Sequence, residues 1–344
     1  MAEGTSARKP PLLRAILPFV LVGVLLVVAL FSAIGALNQN VYSAAGFVRQ
    51  YLDAIARHDA AGALAIDGVL DGAPTMTGGK DYPHTLLRSS VLGSLTGIAL
   101  ADETVTGDGT HTVTYNFRLD GKESTMTFTV EDAGRYAAVF NRWRFAVSPL
   151  AVLQVSVLHG STFTVNGLTL DTRAHEPAER AEEFSHQASY LVFAPTAYAV
   201  SHTSPLLQAS PNKVPVVVPG TTAVTVDVQP NKSFVQQVQN ELNGFLDDCA
   251  KQTVLKPTNC PFGIDIDDRV LNDPKWSIAK YPPVTLRAGD GTFDMPDTEG
   301  LARIVVDVQS LFDGEVSTRD ENVEFAVGLS VIINTDGSLR IQLH

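Results

Sequence analysis

The stretch that decides the fold is Val113–Val130, VTYNFRLDGKESTMTFTV, in which apolar and polar residues alternate on both sides of a turn. Before the turn every second residue is apolar, from Val113 to Leu119, and after it the apolar positions run from Met126 to Val130. Asp120-Gly121 lies between the two runs and favours a two-residue hairpin turn, because both central residues need positive φ. The pattern predicts an antiparallel hairpin with one buried face.

An amphipathic helix is predicted before this hairpin. Its apolar residues fall at the spacing i, i+3, i+4, i+7. They are Val48, Tyr51, Leu52 and Ile55. Asp59 is placed to cap a second short helix, and a last strand is predicted over Ala137–Val147. Residues 43–147 are therefore predicted to form helices lying on an antiparallel sheet, an α+β layer.

The C-terminal region, residues 230–344, repeats that order. An amphipathic helix comes first, with Asn231 or Ser233 as its N-cap. The apolar face of this helix consists of Phe234, Val238, Leu242, Phe245 and Leu246. Strands are predicted next. They are Val284–Leu286, Ile304–Val308, Val323–Ile333 and Leu339–Leu343. This is a second helix-on-sheet domain.

Between the two α+β regions, residues 148–229 show short strand candidates separated by prolines. Val165-Asn166-Gly167 is a further hairpin signal, and the charged stretch Asp171–Glu183 is predicted to be an exposed loop. Short strands at this spacing are typical of a small β-sandwich.

The N-terminal stretch Ala15–Leu37, AILPFVLVGVLLVVALFSAIGAL, contains 23 residues and no charge. As a helix it would be about 35 Å long, enough for a hydrocarbon core of about 30 Å. Three basic residues precede it, which places residues 1–14 in the cytoplasm and the rest outside the plasma membrane. They are Arg8, Lys9 and Arg14. A cleaved signal peptide is the alternative, although its apolar region would be about 7–15 residues long and followed by a small-x-small site.

Charge and cysteine content restrict the partners of the region outside. The whole chain has 25 Lys and Arg against 37 Asp and Glu, a net charge of −12. Such an acidic protein repels nucleic acid, which we exclude as a partner. Cys249 and Cys260 form an even pair in an oxidising compartment, so we predict a structural disulfide.

No catalytic residue, metal or cofactor is predicted. Two Ser-x-x-Lys matches, Ser210–Lys213 and Ser277–Lys280, lack the Ser-Asp-Asn and Lys-Thr-Gly elements of penicillin-recognising enzymes. A group of aspartates could surround calcium, but it lacks the order of an EF-hand and is also typical of a solvated acidic loop. The group is Asp247, Asp248, Asp265, Asp267 and Asp268.

Three aromatic residues are candidates for contact with a ligand or for lining a pocket. They are Trp143, Trp276 and Tyr281. The alternative for each is a place in the core of a sheet-and-helix layer.

The run Phe47–Asp59, FVRQYLDAIARHD, followed by the small-residue helix Ala60–Ile66, resembles the opening of the nuclear-transport-factor-like, or cystatin-like cone, superfamily. That resemblance implies a curved sheet wrapped around a helix, often enclosing a conical pocket. It leads us to expect two cone-like domains, residues 43–147 and 230–344, flanking the β-sandwich.

The whole arrangement is similar to TcaA-like bacterial single-pass envelope proteins. The segments that carry the similarity are Val165-Asn166-Gly167, Phe193–Tyr198 and Trp276–Pro282. The similarity implies one span joined to small β-domains and a terminal cone-like domain, in proteins of the response to wall-targeting glycopeptides.

The prediction for function is a non-catalytic, membrane-anchored protein. We expect residues 230–344 to bind a cell-wall component or another membrane protein and residues 43–229 to act as stalk. The alternative is a small-ligand receptor or enzyme that uses a conical pocket, with Asp53, His58 or Glu324 as candidate ionisable groups.

Overall fold

The computed structural model describes residues 12–107, 109–137, 139–175, 184–334 and 336–344. Most of the predicted cytoplasmic tail and residues 176–183 of the predicted charged loop lie outside the described residues. The fold is α+β, consists mostly of antiparallel sheet, and forms two compact units. The first unit comprises Met1–Leu153, Tyr190–Tyr198 and Pro215–Thr222, and the second comprises Gln154–Ser189, Ala199–Val214 and Ala223–His344.

The first unit begins with a long apolar helix, α1 (Leu12–Asn40). The predicted helix over residues 15–37 is confirmed, and it is three residues longer at each end. Its segment Pro18–Gln39 is apolar, is not buried by the rest of the protein, and is long enough to cross a membrane. By length and composition α1 is therefore a candidate membrane anchor.

Two short helices follow, α2 (Ala44–Ala56) and α3 (Ala60–Leu64). Each begins where a side chain accepts a hydrogen bond from an otherwise unpaired backbone N–H. Ser43 Oγ accepts from Gly46 N at 3.0 Å, and Asp59 Oδ1 accepts from Gly62 N at 2.8 Å. The predicted cap at Asp59 is confirmed.

The sheet of the first unit is a four-stranded meander in the order β1-β2-β3-β4. Its strands are β1 (Leu95–Val105), β2 (His111–Leu119), β3 (Lys122–Tyr136) and β4 (Phe140–Phe145). The predicted hairpin is confirmed: Leu119 pairs with Lys122, and the two turn residues between them have φ of 48° and 83°. The predicted strand over Ala137–Val147 was wrong at its start, because β3 continues to Tyr136 and Ala137 adopts a φ of 49° in the turn before β4.

Aromatic side chains fill the space between α2 and this sheet. The ring of Tyr51 meets Phe128 edge-on at 6.2 Å and Phe145 at 5.4 Å between centroids. Phe47 packs on Phe145 at 5.0 Å. The apolar face of α2 is buried, as its periodicity predicted. The interior of this layer is therefore packed with side chains.

In its described residues, the middle of the chain forms eight strands in two sheets. They are β5 (Leu150–Leu158), β6 (Thr162–Val165), β7 (Leu168–Asp171), β8 (Ser185–Phe193), β9 (Thr196–Thr203), β10 (Leu207–Val216), β11 (Thr221–Asp227) and β12 (Gln229–Pro230). The strand orders are β12-β10-β9-β6-β7 and β11-β5-β8. Asn166-Gly167 turns β6 into β7, as predicted, with Val165 paired to Leu168.

The C-terminal part of the second unit is helix α4 (Lys232–Ala250) followed by a six-stranded sheet. The strands are β13 (Arg269–Val270), β14 (Lys275–Lys280), β15 (Arg287–Ala288), β16 (Phe293–Gln309), β17 (Val316–Ile333) and β18 (Leu339–Leu343). Asn231 caps α4 through Phe234 N at 3.0 Å. The predicted strand Val284–Leu286 was wrong, because Val284 N donates to Gln239 Oε1 of α4 at 2.9 Å instead of to a neighbouring strand.

One face of α4 packs on this sheet and forms the core of the second unit. The residues of α4 in the core are Phe234, Val238, Leu242, Leu246 and Cys249. Cys249 is bonded to Cys260 with a Cα–Cα distance of 5.8 Å, so the predicted disulfide is confirmed. It ties the loop after α4 back to the end of the helix.

Candidate functional site

A groove in the first unit lies beside the C-terminal end of α1. We call it the α1–β4 groove. It has a volume of about 350 Å³, and four of its lining residues are aromatic. The residues that define it here are Tyr42, Phe47, Tyr136, Asn141, Arg142 and Trp143.

The groove exists because the end of α1 is hydrogen-bonded to the turn that leads into β4. Asn38 Nδ2 donates to Val139 O at 2.8 Å, and Asn38 Oδ1 accepts from Asn141 N at 3.2 Å. Tyr42 stacks on Phe140 with 4.5 Å between the ring centroids. These contacts fix β4 to the helix end within one unit.

Trp143, one of the three predicted pocket aromatics, forms part of the groove wall. Its indole Nε1 donates to Tyr42 O at 2.8 Å, so the polar atom of the ring is satisfied. The ring also meets His111 edge-on at 4.5 Å. Trp143 is thus held in one orientation, with part of its ring lining the groove.

An ion pair lies at the polar rim of the groove. Arg142 donates to Asp67 from Nε at 3.0 Å and from Nη2 at 2.7 Å, and both bonds end on the same oxygen, Oδ2. Both side chains are about half exposed. Neither bond uses Arg142 Nη1, which therefore keeps its N–H donors for another acceptor.

The other two predicted aromatics lie in the second unit. Trp276, on β14, is only 7 % exposed and belongs to the hydrophobic core, where its Nε1 donates to Val254 O at 2.8 Å. Tyr281 is more exposed, and its hydroxyl donates to Asp247 Oδ1 at 2.5 Å. That hydrogen bond, with some burial, raises the pKa of Tyr281 above its usual value.

The second unit also carries an exposed apolar tip, which the sequence reasoning missed. The loop between β16 and β17, residues 310–315, presents Phe312 with 98 % of its surface exposed and Leu311 with 69 %. Val316, the first residue of β17, is exposed as well. We call Leu311, Phe312 and Val316 the hairpin tip. A signal was available, because Leu311-Phe312 precedes Asp313-Gly314 between two strongly alternating strands.

Hydrogen bonds within the loop hold the hairpin tip in one conformation. Ser310 N donates to Glu315 O at 2.9 Å, Gly314 N donates to Ser310 O at 3.0 Å, and Glu315 N donates to Asp313 Oδ1 at 3.2 Å. Gly314 has a φ of 80°, which a glycine adopts without strain. The two exposed apolar side chains therefore stand on a preformed loop.

The surroundings of the hairpin tip are acidic. Leu311 N donates to Asp268 Oδ1 at 3.4 Å, and Asp313 and Glu315 belong to the loop itself. A hydrogen bond from Ser310, helped by the backbone N–H of Glu315, lowers the pKa of Asp313. The tip thus carries negative charge beside its apolar side chains at neutral pH.

The candidate ionisable groups for an enzyme lie in different settings. Asp53 is paired with Arg49 at 2.9 Å on the surface of α2, and His58 follows that helix with a φ of 57°. Glu324 lines a cavity of about 330 Å³ in the second unit together with Lys280 and Glu299. In the described ranges, the buried polar residues other than tyrosine are Ser148, Thr172, Thr196 and His202. None of these four carries a carboxylate.

Of the five aspartates considered for calcium, three are engaged with separate side-chain partners. Asp248 pairs with Lys251 at 2.6 Å, Asp265 pairs with Lys256 at 2.7 Å, and Asp247 accepts the Tyr281 hydroxyl. Among the residues that the structure describes, no group of three or more His, Cys, Asp or Glu side chains is placed to hold a metal ion.

No protein-family model, no curated protein and no solved structure matches this chain. The features of this chain that bear on function are therefore the α1–β4 groove, the hairpin tip and the apolar helix α1.

Proposed function

We propose that this chain is a non-catalytic bacterial envelope protein. It is held in the plasma membrane by α1, with its N-terminus in the cytoplasm, and it binds a second membrane protein through the hairpin tip. The observation that carries the proposal is Phe312, a large apolar side chain with 98 % of its surface exposed on a loop fixed by its own hydrogen bonds.

The energetics of such a side chain favour an interface. Burying a phenylalanine contributes about 1.5–3 kcal/mol, and aromatic anchors that enter a pocket carry much of the energy of protein interfaces. Because the loop is already ordered, little conformational entropy is lost on binding. Leu311 and Val316 extend the exposed apolar surface next to Phe312. We therefore assign the hairpin tip as the contact element.

The charge around the tip indicates the chemistry of the partner. Asp268, Asp313 and Glu315 place negative charge beside the apolar side chains. An anionic membrane surface is repelled by such a tip. A protein with an apolar pocket and a basic rim is complementary to it in both shape and charge.

The proposal includes the cone-like interpretation of residues 43–147 and 230–344, with a small β-sandwich over residues 148–229 between them, and a relationship to TcaA-like proteins. A helix that precedes an antiparallel sheet in both terminal regions supports it. The aromatic filling behind α2, and the lack of a carboxylate among the buried polar residues named above, support binding over catalysis.

A photo-crosslinking experiment in living cells tests the contact. The full chain is expressed with a photoreactive phenylalanine analogue at position 312, and, as a control in the same unit, at the exposed position of Val254. We expect one protease-sensitive crosslinked product from position 312 and none from position 254. Absence of a product from position 312 would overturn the assignment of the tip.

A binding measurement with matched variants follows. Against the crosslinked partner, Phe312→Ala is expected to weaken binding about 10-fold or more, which corresponds to the lost burial, while Val254→Ala has no effect. Because Phe312 is almost fully exposed, its replacement leaves the melting temperature unchanged. Salt-resistant sedimentation of the full chain with cell-wall sacculi, abolished by Phe312→Ala, would instead identify a wall component as the ligand.

A further inference from the structure

We propose that the α1–β4 groove binds the phosphate-bearing headgroup of one phospholipid in the outer leaflet. This inference rests on the membrane span of the proposed function, and it does not involve the hairpin tip. It would make the first unit a lipid-binding element of the protein.

The position of the groove along α1 places it at the depth of lipid headgroups. The apolar segment ends at Gln39, and Tyr42 follows three residues later, within about 5–10 Å of the end of the apolar segment. The headgroup layer on each side of a bilayer is about 5–8 Å thick. Because Asn38 is hydrogen-bonded to Val139 and Asn141, the groove is held at this level.

The walls of the groove have the chemistry of a membrane interface. Tyr42, Tyr136 and Trp143 are amphipathic rings, and tyrosine and tryptophan are enriched where hydrocarbon meets water. The volume of about 350 Å³ lies at the small end of the range for small-molecule pockets. That size suits a headgroup better than a peptide or a whole acyl chain.

Arg142 supplies the recognition of phosphate. Guanidinium groups bind phosphate oxygens with strong, charge-assisted hydrogen bonds. Arg142 keeps Nη1 outside its ion pair with Asp67, and its side chain is 58 % exposed at the rim of the groove. Asn141, beside it, adds a side-chain amide to the same wall. A phosphate at this rim competes with Asp67 for the guanidinium.

The chain offers a matched control for Arg142. Arg118 on β2 is also 58 % exposed and is also paired with an acidic residue, Glu123, at 3.3 Å. Glu123 and Asp132, which pairs with Trp143, lie nine residues apart along β3. At about 3.3 Å per residue the control arginine is roughly 30 Å from the groove. Replacing it changes charge and exposure equally but leaves the groove intact.

The test uses the full chain reconstituted in phosphatidylglycerol nanodiscs, released into mild detergent and weighed by native mass spectrometry. We expect the wild-type chain to retain one phospholipid. Arg142→Gln is expected to reduce the retained fraction at least fivefold, whereas Arg118→Gln leaves it unchanged. Asp67→Asn is expected to retain as much lipid as the wild type or more, because the guanidinium is released to the phosphate.

Each outcome decides the inference. If Arg142→Gln and Asp67→Asn lose lipid equally, the ion pair is only structural and the inference is overturned. It is also overturned if nanodiscs of a neutral, phosphate-free glycolipid give equal retention. If the chain does not enter nanodiscs at all, the anchor itself fails. If it enters and retains no lipid, only the groove assignment fails. A melting curve for every variant confirms that it is folded.

Discussion

Removing the Cys249–Cys260 bond is expected to destabilise the second unit by a defined amount. The bond links residues 11 positions apart. In the chain-entropy model, a cross-link closing a loop of that size stabilises the fold by about 3 kcal/mol, because it restricts the unfolded chain. The full chain with Cys249→Ala and Cys260→Ala is therefore expected to unfold at lower denaturant concentration.

The folded loop has contacts that survive reduction. Gln252 exchanges two hydrogen bonds with the backbone of Thr258, at 3.2 and 2.7 Å, and Val254 O accepts from Trp276. The native state consequently keeps its geometry when the disulfide is reduced. Most of the loss in stability therefore comes from the greater freedom of the unfolded chain. Reduced wild-type protein isolates that effect, whereas the double alanine variant adds on the order of 1 kcal/mol for the lost packing of Cys249.

Trp276 is a suitable probe, because it lies in the core of the second unit and contacts the loop directly. With Trp143→Phe as background, its fluorescence follows guanidinium unfolding of this unit alone. A loss of about 3 kcal/mol lowers the midpoint by about 0.5–1.5 M. If oxidised and reduced proteins share one midpoint, the entropic reasoning is refuted, and if reduction abolishes the folded baseline, the surviving contacts have been overestimated.

Two further predictions concern a glycine and a titration. Gly68→Ala is expected to destabilise the first unit by more than about 2 kcal/mol, because Gly68 has a φ of 83° and an added Cβ would lie 2.4 Å from Phe145 O. Gly72 has a φ of 78° but open space around it. Gly72→Ala is therefore expected to cost only about 1 kcal/mol of backbone strain. Thermal melting compares the two, and equal losses would contradict the steric argument. Asp247→Asn is expected to lower the pKa of Tyr281, measured by ultraviolet titration, because the carboxylate hydrogen bond raises it. The stability that this bond contributes is present below pH 10 and is lost as pH rises through the raised pKa.

The sequence predicts those elements whose two faces differ strongly. The β2–β3 hairpin has one buried and one exposed face, so its period of two is visible. In β1, by contrast, every residue after Leu95 is exposed or half-buried, and no alternation marks the strand. Ala137 adopts a positive φ that its residue type does not signal, which explains the error at the start of β4.

The α1–β4 groove could not be predicted from the sequence for a different reason. Its wall is assembled from the end of α1, the helix α2 and the strand ends around the β3–β4 turn, so residues about 100 positions apart in the chain share one surface. Among its lining residues, Trp143 was predicted in advance as a pocket aromatic. Arg142 and Asp67 become candidate site residues only because they form an ion pair at the groove. The two residues are 75 positions apart, so their pairing is a property of the tertiary structure.

The modest size of the hairpin tip constrains how the proposed contact can work. Burying Phe312 and Leu311 together contributes about 3–6 kcal/mol, and association itself costs at least about 4 kcal/mol in lost motion. The remainder is at most about 2 kcal/mol, which corresponds to a dissociation constant of tens of millimolar or weaker. Such weak binding is populated only when the partner is confined to the same membrane, because confinement raises its effective concentration far above that of a freely diffusing protein. The tip and the anchor are therefore useful only together, and the binding of a chain without α1 is expected to fall below detection while Phe312 remains in place.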